Sequence, residues 1–151
     1  MTAAKLTAIR NYRLISPTLA TAGQPTAEQF EVVAQAGYAV VINLALSTSD
    51  HAIVSEAELV KSLGMTHFHI PVVWEAPSQG DLEIFFRVME RNRDLNVFVH
   101  CALNMRVSAF VYLYRVLRLG VEPSVAQVDL HRIWQPNPTW QAFIDQALVA
   151  K

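Results

Sequence analysis

The chain has 151 residues, a formal net charge of −1, 52% hydrophobic residues and 17% charged residues. This composition excludes a disordered chain, and the length suits a single domain with a buried core, which we expect over residues 1–151. A charge so close to zero offers nucleic acid or an anionic membrane no attraction, so neither is expected as a partner. No segment reaches the roughly 20 apolar residues of a membrane span, and the first residues lack the apolar run of a signal peptide, so we expect a cytoplasmic protein.

The first half of the chain alternates short apolar runs with helical patterns. Thr26, followed three residues later by Gln29, forms a capping box at a helix start, and Gly37 ends that helix. Asp50 is placed to cap a second helix, which Gly64 ends. In chain order, the patterns predict an extended segment or hairpin over 11–19, a turn over 22–25, a helix from 26 to about 36, a strand over 39–44, a helix from about 52 to 63 and a strand over 66–73.

The second half continues this alternation and then becomes wholly helical. Ser78 and Asp81 mark the start of a helix after a loop over 74–80. In chain order, the patterns predict that helix to about 93, a strand over 97–99 and helices over about 106–119, 123–133 and 138–150. Because strands that alternate with helices pair in parallel, the predicted fold is α/β. We expect a central, mostly parallel sheet of four to five strands flanked by helices, with a helical C-terminal end.

Two histidines are the first candidates for a metal site. His67 and His69 lie at strand spacing, on one face of the same predicted strand. No carboxylate or further histidine stands at a suitable offset from them. We therefore expect surface or packing roles for both, and no metal site.

Cys101 is the most informative single residue, because it is the only cysteine and lies between a strand and a helix. A lone cysteine excludes an internal disulfide and a multi-cysteine zinc cage. Consecutive backbone N–H groups in such a loop form an anion nest, and these donors and the helix N-terminus favour a thiolate. Arg106 could clamp two oxygens of a bound phosphoryl group, and Ser108 could donate a hydrogen bond to the departing sulfur. The segment is therefore predicted to be a phosphate-binding loop that also takes sulfate.

The remaining residues of this loop are expected to surround the anion. His100 would orient the loop through hydrogen bonds to nearby backbone. Asn104 lies at the apex, where asparagine tolerates a positive φ. The predicted binding residues are His100, Ala102, Leu103, Asn104, Met105 and Val107.

The combination of His100, Cys101, Arg106 and Ser108 resembles the phosphate-binding loop of cysteine-dependent protein tyrosine and dual-specificity phosphatases. Their signature is His-Cys, five residues, Arg, then Ser or Thr. The similarity extends over most of the chain, through residues 23–26, 40–44, 70–72 and 108–114. More narrowly, residues 22–44 are similar to small bacterial phosphatases called beta-lactamase-hydrolase-like.

This resemblance implies a mechanism and a site. Cys101 would be the nucleophile, Arg106 would bind phosphate, and a carboxylate on a separate loop would be the general acid. Glu75 is the preferred acid and Asp81 the alternative, because Asp81 also suits a helix start. Trp74, beside Glu75, would either stack over a substrate ring or plug the core. The implied substrate is a phosphorylated protein or small molecule, and no cofactor is needed.

The sequence departs from the signature in three respects. Arg106 follows Cys101 by five positions where the signature has six, and one step along a helix turns a side chain by about 100°. Either the guanidinium turns partly away from the pocket, or the loop is tighter. The loop has no glycine, although Asn104 could take that place, and no aspartate directly follows residues 70–72.

Two other functions stay open at this point. Rhodanese-like sulfurtransferases also place a cysteine in a strand–loop–helix nest, often with an arginine five positions on. A non-catalytic phosphate-binding pseudophosphatase is the other alternative, because a displaced arginine could abolish turnover.

Overall fold

The computed structural model describes residues 5–150 and contains a five-stranded sheet. The strands are β1 (Arg13–Ser16), β2 (Leu19–Ala22), β3 (Val40–Asn43), β4 (Thr66–His69) and β5 (Val97–His100). Their order across the sheet is β1-β2-β5-β3-β4. Only β1 and β2 are antiparallel, and the other neighbours are parallel. The predicted α/β fold with a mostly parallel sheet is confirmed, and β5 occupies its centre.

Helices cover both faces of this sheet because neighbouring strand residues point to opposite sides. Val41 and Phe98 belong to one apolar cluster, whereas Ile42 and Val99 belong to the other. The first cluster is covered by α1 (Ala27–Gln35) and α2 (Glu56–Ser62). The second is covered by α3 (Gln79–Arg91), α4 (Met105–Leu117), α5 (Pro123–Ile133) and α6 (Pro138–Ala150). Within residues 5–150, none of the helices has the length and hydropathy needed to cross a bilayer.

Two predicted helix starts are confirmed, and in each of them a side chain caps the first turn. Thr26 and Gln29 form both hydrogen bonds of the capping box. The Ser78 hydroxyl accepts from the backbone N–H of Asp81 at 3.0 Å, as the sequence indicated. Helix α4 begins at residue 105 and is buried on almost its whole circumference. It therefore lies in the middle of the second apolar cluster, between the sheet and the other helices of that face.

The start of α2 was predicted wrongly. Asp50 does not cap it, because residues 46–55 form successive turns instead of a helix, with hydrogen bonds from Ser49 to Leu46 and from Ala52 to Ser49. His51 has a left-handed backbone with φ of 65°, which a continuous helix excludes. The helix therefore begins at Glu56.

Strand β4 is also shorter than predicted, ending at His69. Pro71 has no N–H to continue the ladder. The backbone N–H groups of Ile70 and Val72 still bond to the carbonyls of residues 43 and 44, so the chain follows β3 past the strand end. This extension brings the segment over 72–78 to the carboxyl edge of the sheet.

Candidate functional site

Cys101 is the first residue after the central strand, at the carboxyl edge of the sheet. Its side chain is almost fully buried, with 1% of its surface exposed. Beside it lies a cavity of about 150 Å³, lined by Trp74, Cys101, Ala102, Leu103, Met105 and Arg106. The single thiol and one guanidinium therefore face the same small cavity.

The loop after Cys101 is short because Asn104 turns the chain directly into α4. Asn104 has a φ of 67°, in the left-handed region that the sequence analysis predicted for it. Its side-chain amide donates to the carbonyl of Asn11 at 2.8 Å and to the hydroxyl of Thr21 at 3.0 Å. The Asn104 side chain is completely buried, and its two hydrogen bonds join the loop to Asn11 and to strand β2.

Three successive carbonyl groups of the loop are held from behind. The contacts are His100 Nδ1 to the Cys101 oxygen at 3.3 Å, the Gln24 backbone N–H to the Ala102 oxygen at 3.0 Å, and the Asn11 amide to the Leu103 oxygen at 2.9 Å. In a trans peptide the N–H points opposite to the carbonyl. The N–H groups of Ala102 and Leu103 are thus turned away from these partners. Their arrangement is the kind of nest that binds anions.

Arg106 lies in the first turn of α4 with 7% of its surface exposed, and it lines the cavity. Its Nη1 donates to the carbonyl oxygen of Val72 at 3.0 Å. Of the two arrangements that the sequence left open, a guanidinium turned away from the pocket is not the one found, because Arg106 lines the cavity. The guanidinium is therefore beside the cavity despite the five-residue spacing, and it links α4 to the segment over 72–78.

A buried carboxylate beneath the loop was missed by the sequence analysis. Glu56 is 5% exposed, and its Oε2 lies 2.7 Å from His100 Nε2 and 2.9 Å from His67 Nε2. Its Oε1 accepts from the side-chain amide of Gln24 at 3.0 Å. Burial alone would raise the pKa of Glu56, but the charge and hydrogen bond of His100, with hydrogen bonds from His67 and Gln24, hold it well below its usual range. The group is therefore an ionised carboxylate.

Of the surface and packing roles expected for His67, the structure supports packing, since its side chain is 5% exposed and paired with Glu56. His69 bonds instead to the carbonyl of Ala45 at 2.6 Å. Sequence patterns gave no sign of this pairing, because Glu56 reads as an ordinary acidic residue inside the helix predicted from about 52 to 63. Across residues 5–150, no group of three or more histidine, cysteine, aspartate or glutamate side chains is arranged to hold a metal ion.

Neither of the two predicted general acids lines the cavity, although both follow the cavity residue Trp74 closely along the chain. Glu75 is exposed in a turn closed by a hydrogen bond from Ala76 to Val73. Asp81 is half-buried in the first turn of α3. Glu75 directly follows Trp74, which does line the cavity.

Trp74 packs against the apolar core, which is one of the two roles that the sequence left open for it, and stacking over a substrate ring stays a prediction. Its ring packs against Trp134 and Trp140, with centroids 5.3 and 5.8 Å away. The indole N–H of Trp140 also donates to the Trp74 carbonyl at 2.9 Å. The side chain is thus anchored on the C-terminal helices while forming one wall of the cavity.

Four of the predicted site residues have side chains that point elsewhere. The Val107 side chain is fully buried in the core, and those of His100 and Asn104 lie behind the loop. His100 Nδ1 meets the Cys101 carbonyl, as expected of a residue that orients the loop, and a role of these three residues in anion binding stays a prediction. Ser108 donates to the Met105 carbonyl at 2.9 Å and accepts from the Trp134 indole at 3.1 Å. Ala102, Leu103 and Met105 line the cavity, and their role in binding stays a prediction.

Comparison with known proteins places this chain in a phosphatase family. Residues 13–142 match the family model described as a DSP-PTPase phosphatase fused to NAD+ kinase. The chain is similar to a protein from Shewanella putrefaciens CN-32 described as a candidate phosphatase of group DUF442, with 37% identity over 97% of both chains and a TM-score of 0.89. It also shares its fold with Tk-PTP, at 17% identity over 91% of this chain and 95% of that chain, with a TM-score of 0.77.

The fold similarity reaches P. aeruginosa TpbA, at 17% identity over 93% of this chain and 90% of that chain, with a TM-score of 0.72. No curated protein sequence matches the chain. The matched family and structures lend no support to the sulfurtransferase or to the non-catalytic alternative. The narrower name, beta-lactamase-hydrolase-like, is not among these descriptions and stays a prediction.

Proposed function

The chain belongs to the phosphatase family whose model it matches, a family of hydrolases of the tyrosine and dual-specificity type, and we propose that it hydrolyses phosphomonoesters through a cysteinyl-phosphate. The observation that carries the proposal is the cavity shared by Cys101 and Arg106. A nucleophile and a cation lining one space of about 150 Å³ are what transfer of one phosphoryl group requires.

In the first step the Cys101 sulfur attacks phosphorus while the bond to the ester oxygen breaks. The N–H groups of Ala102 and Leu103 hold the phosphoryl oxygens from one side, and the guanidinium of Arg106 holds them from another. The leaving oxygen takes a proton from a carboxylic acid, for which Glu75 is our first candidate and Asp81 the second.

In the second step water attacks phosphorus, and the phosphorus–sulfur bond breaks to release inorganic phosphate and the thiolate. The carboxylate that gave its proton in the first step accepts one from this water. Ser108 would donate a hydrogen bond to the departing sulfur once its hydroxyl hydrogen turns from the Met105 carbonyl.

For the substrate we propose a phosphate ester carried on an aromatic or otherwise apolar group. Trp74, Leu103 and Met105 line the cavity, and among residues 5–150 Arg106 is the one basic or acidic side chain that does so. A variant of TpbA, 16% identical to this chain, has been solved in complex with phosphotyrosine. That ligand has the proposed chemistry, a phosphate on an aromatic ring.

Hydrolysis of p-nitrophenyl phosphate tests the proposal directly. The wild-type protein should release p-nitrophenol, Cys101→Ser should release none, and Arg106→Lys should lower kcat/KM by about a hundredfold because one ammonium cannot replace a bidentate fork. Quenched samples of wild type should carry acid-stable phosphate on Cys101. Turnover that survives in Cys101→Ser, or wild-type protein that binds inorganic phosphate without turnover, would contradict the mechanism.

A further inference from the structure

We propose that Glu56 is a positioning residue for the Cys101 loop and acts through His100. This inference rests on the proposed phosphatase function for its kinetic consequence. Glu56 lies on the opposite face of the sheet from α4, at the first residue of α2, and it does not line the cavity beside Cys101. Any effect on phosphoryl transfer must therefore pass through other residues.

Two short hydrogen-bonded paths lead from Glu56 to the loop. Its Oε2 contacts His100 Nε2 at 2.7 Å, and Nδ1 of the same ring faces the Cys101 carbonyl at 3.3 Å. Its Oε1 accepts from the Gln24 side chain at 3.0 Å, and the Gln24 backbone N–H donates to the Ala102 carbonyl at 3.0 Å. One carboxylate thus fixes the partners of two successive loop carbonyls.

These carbonyls decide where the anion-binding N–H groups point. Because C=O and N–H are opposed across each trans peptide, holding the Cys101 and Ala102 oxygens behind the loop turns the N–H groups of Ala102 and Leu103 forward. The imidazole of His100 can hold the Cys101 carbonyl in place only while the plane of the ring is fixed. Glu56 fixes that ring as an acceptor on the far nitrogen, which is how outer partners commonly orient a functional histidine.

Stability alone is a poor explanation for this carboxylate. A buried ion pair is often no more stabilising than apolar residues of the same volume, because desolvation offsets the attraction. The helix dipole does not single out Glu56 either, since the first turn of α2 holds a further acidic residue, Glu58. The arrangement is instead suited to orientation, because each carboxylate oxygen meets a donor that leads to the loop.

The matched controls lie close to Glu56. His67 donates to the same Oε2 at 2.9 Å, but it lies on β4 at the sheet edge and leads away from the loop. Glu58, on the same helix, is exposed and lines a separate cavity with Glu56 and His67. Replacing His67 disturbs the buried carboxylate and leaves the loop branch intact, whereas replacing Glu58 removes the same charge with no buried contact.

The experiment compares Glu56→Gln, His67→Gln and Glu58→Gln in the full chain. We measure kcat and KM for p-nitrophenyl phosphate, the dissociation constant of inorganic phosphate by calorimetry, and the urea midpoint. Glu56→Gln should lower kcat by about tenfold to a hundredfold, the usual cost of losing a group that orients another, and should weaken phosphate binding. His67→Gln should lower the urea midpoint comparably and keep the wild-type kcat, and Glu58→Gln should change neither.

A double-mutant cycle separates positioning from folding. If Glu56 acts through His100, Glu56→Gln should cause little further loss of kcat in a His100→Asn background. Equal loss of kcat in Glu56→Gln and His67→Gln, in step with their urea midpoints, would overturn the proposal. Wild-type protein without hydrolysis would refute the proposed function, whereas the phosphate dissociation constants would still decide the role of Glu56.

Discussion

Gly23 lies so close to Ala102 that a β-carbon at residue 23 would stand 2.6 Å from the Ala102 carbonyl oxygen. The same atom would meet the Arg10 carbonyl at 3.1 Å, so it is held between two backbone groups. Gly23 directly follows β2, which pairs with the strand that carries the catalytic candidate Cys101. The missing side chain is therefore what lets the chain after β2 pack directly behind the loop that follows Cys101.

Gly23→Ala should move the loop and damage both folding and turnover. We expect a loss of about 2 kcal/mol in the free energy of unfolding, because backbone cannot yield as a flexible side chain can. We also expect kcat for p-nitrophenyl phosphate to fall by about tenfold, because the donors would no longer meet the phosphoryl oxygens. Urea denaturation and steady-state kinetics measure the two effects.

Gly80→Ala is the matched control for that substitution. Gly80 lies in the first turn of α3, and a β-carbon there would have only the Ser78 hydroxyl within 4 Å, at 3.8 Å. Alanine in a helix should raise the free energy of unfolding by about 0.5 kcal/mol and leave kcat unchanged. Equal effects from both glycine substitutions would show that the Ala102 contact has no special role.

Trp140→Phe should loosen the segment over 72–78. The change removes the indole donor to the Trp74 carbonyl and shrinks a fully buried ring, at a cost of about 2 kcal/mol. Hydrogen–deuterium exchange should quicken in residues 73–78 and stay slow in β5, which takes no contact from that donor. Unchanged exchange near Trp74 would mean that the indole hydrogen bond of Trp140 is not needed to hold the segment.

The buried carboxylate predicts how stability depends on pH. Glu56 has a folded-state pKa below its ordinary value of 4.5, so its contribution to stability is complete above that pH and is lost as the pH falls toward the folded-state value. Glu56→Gln should therefore cost about 3 kcal/mol at pH 7 and clearly less at pH 3. Urea midpoints of wild type, Glu56→Gln and Glu58→Gln at both pH values measure this. A gap that widens in acid would contradict the low pKa.

The general acid can be identified by comparing two substrates whose leaving groups differ in their need for a proton. Loss of the acid should slow hydrolysis of phenyl phosphate by about a hundredfold and affect p-nitrophenyl phosphate much less, because p-nitrophenolate leaves without a proton. We expect this pattern for Glu75→Gln, with Asp81→Asn nearly unchanged on both substrates. The reverse result would assign the role to Asp81, and no selectivity in either variant would refute both candidates.

Much of the architecture could be read from short-range patterns. The capping box of Thr26 and Gln29, the Ser78 cap and the apolar run before Cys101 each depend on neighbours within about four residues, so the sequence reveals them. The start of α2 could not be read in this way. Its first residue, Glu56, is hydrogen-bonded to His67 on β4 and to His100 on β5. These long-range contacts outweigh the local preference for Asp50 as a cap.

The candidate site divides in the same manner. Sequence alone determined that one cysteine follows a buried strand, with an arginine and a serine in the next helix, because spacing along a chain is fixed by covalent bonds. Only the tertiary structure decided that Arg106 faces the cavity and that Asn11, Gln24 and Glu56 hold the loop. Those contacts join segments far apart in sequence, and hydrogen bonds between them exist only after the sheet has brought the segments to one edge.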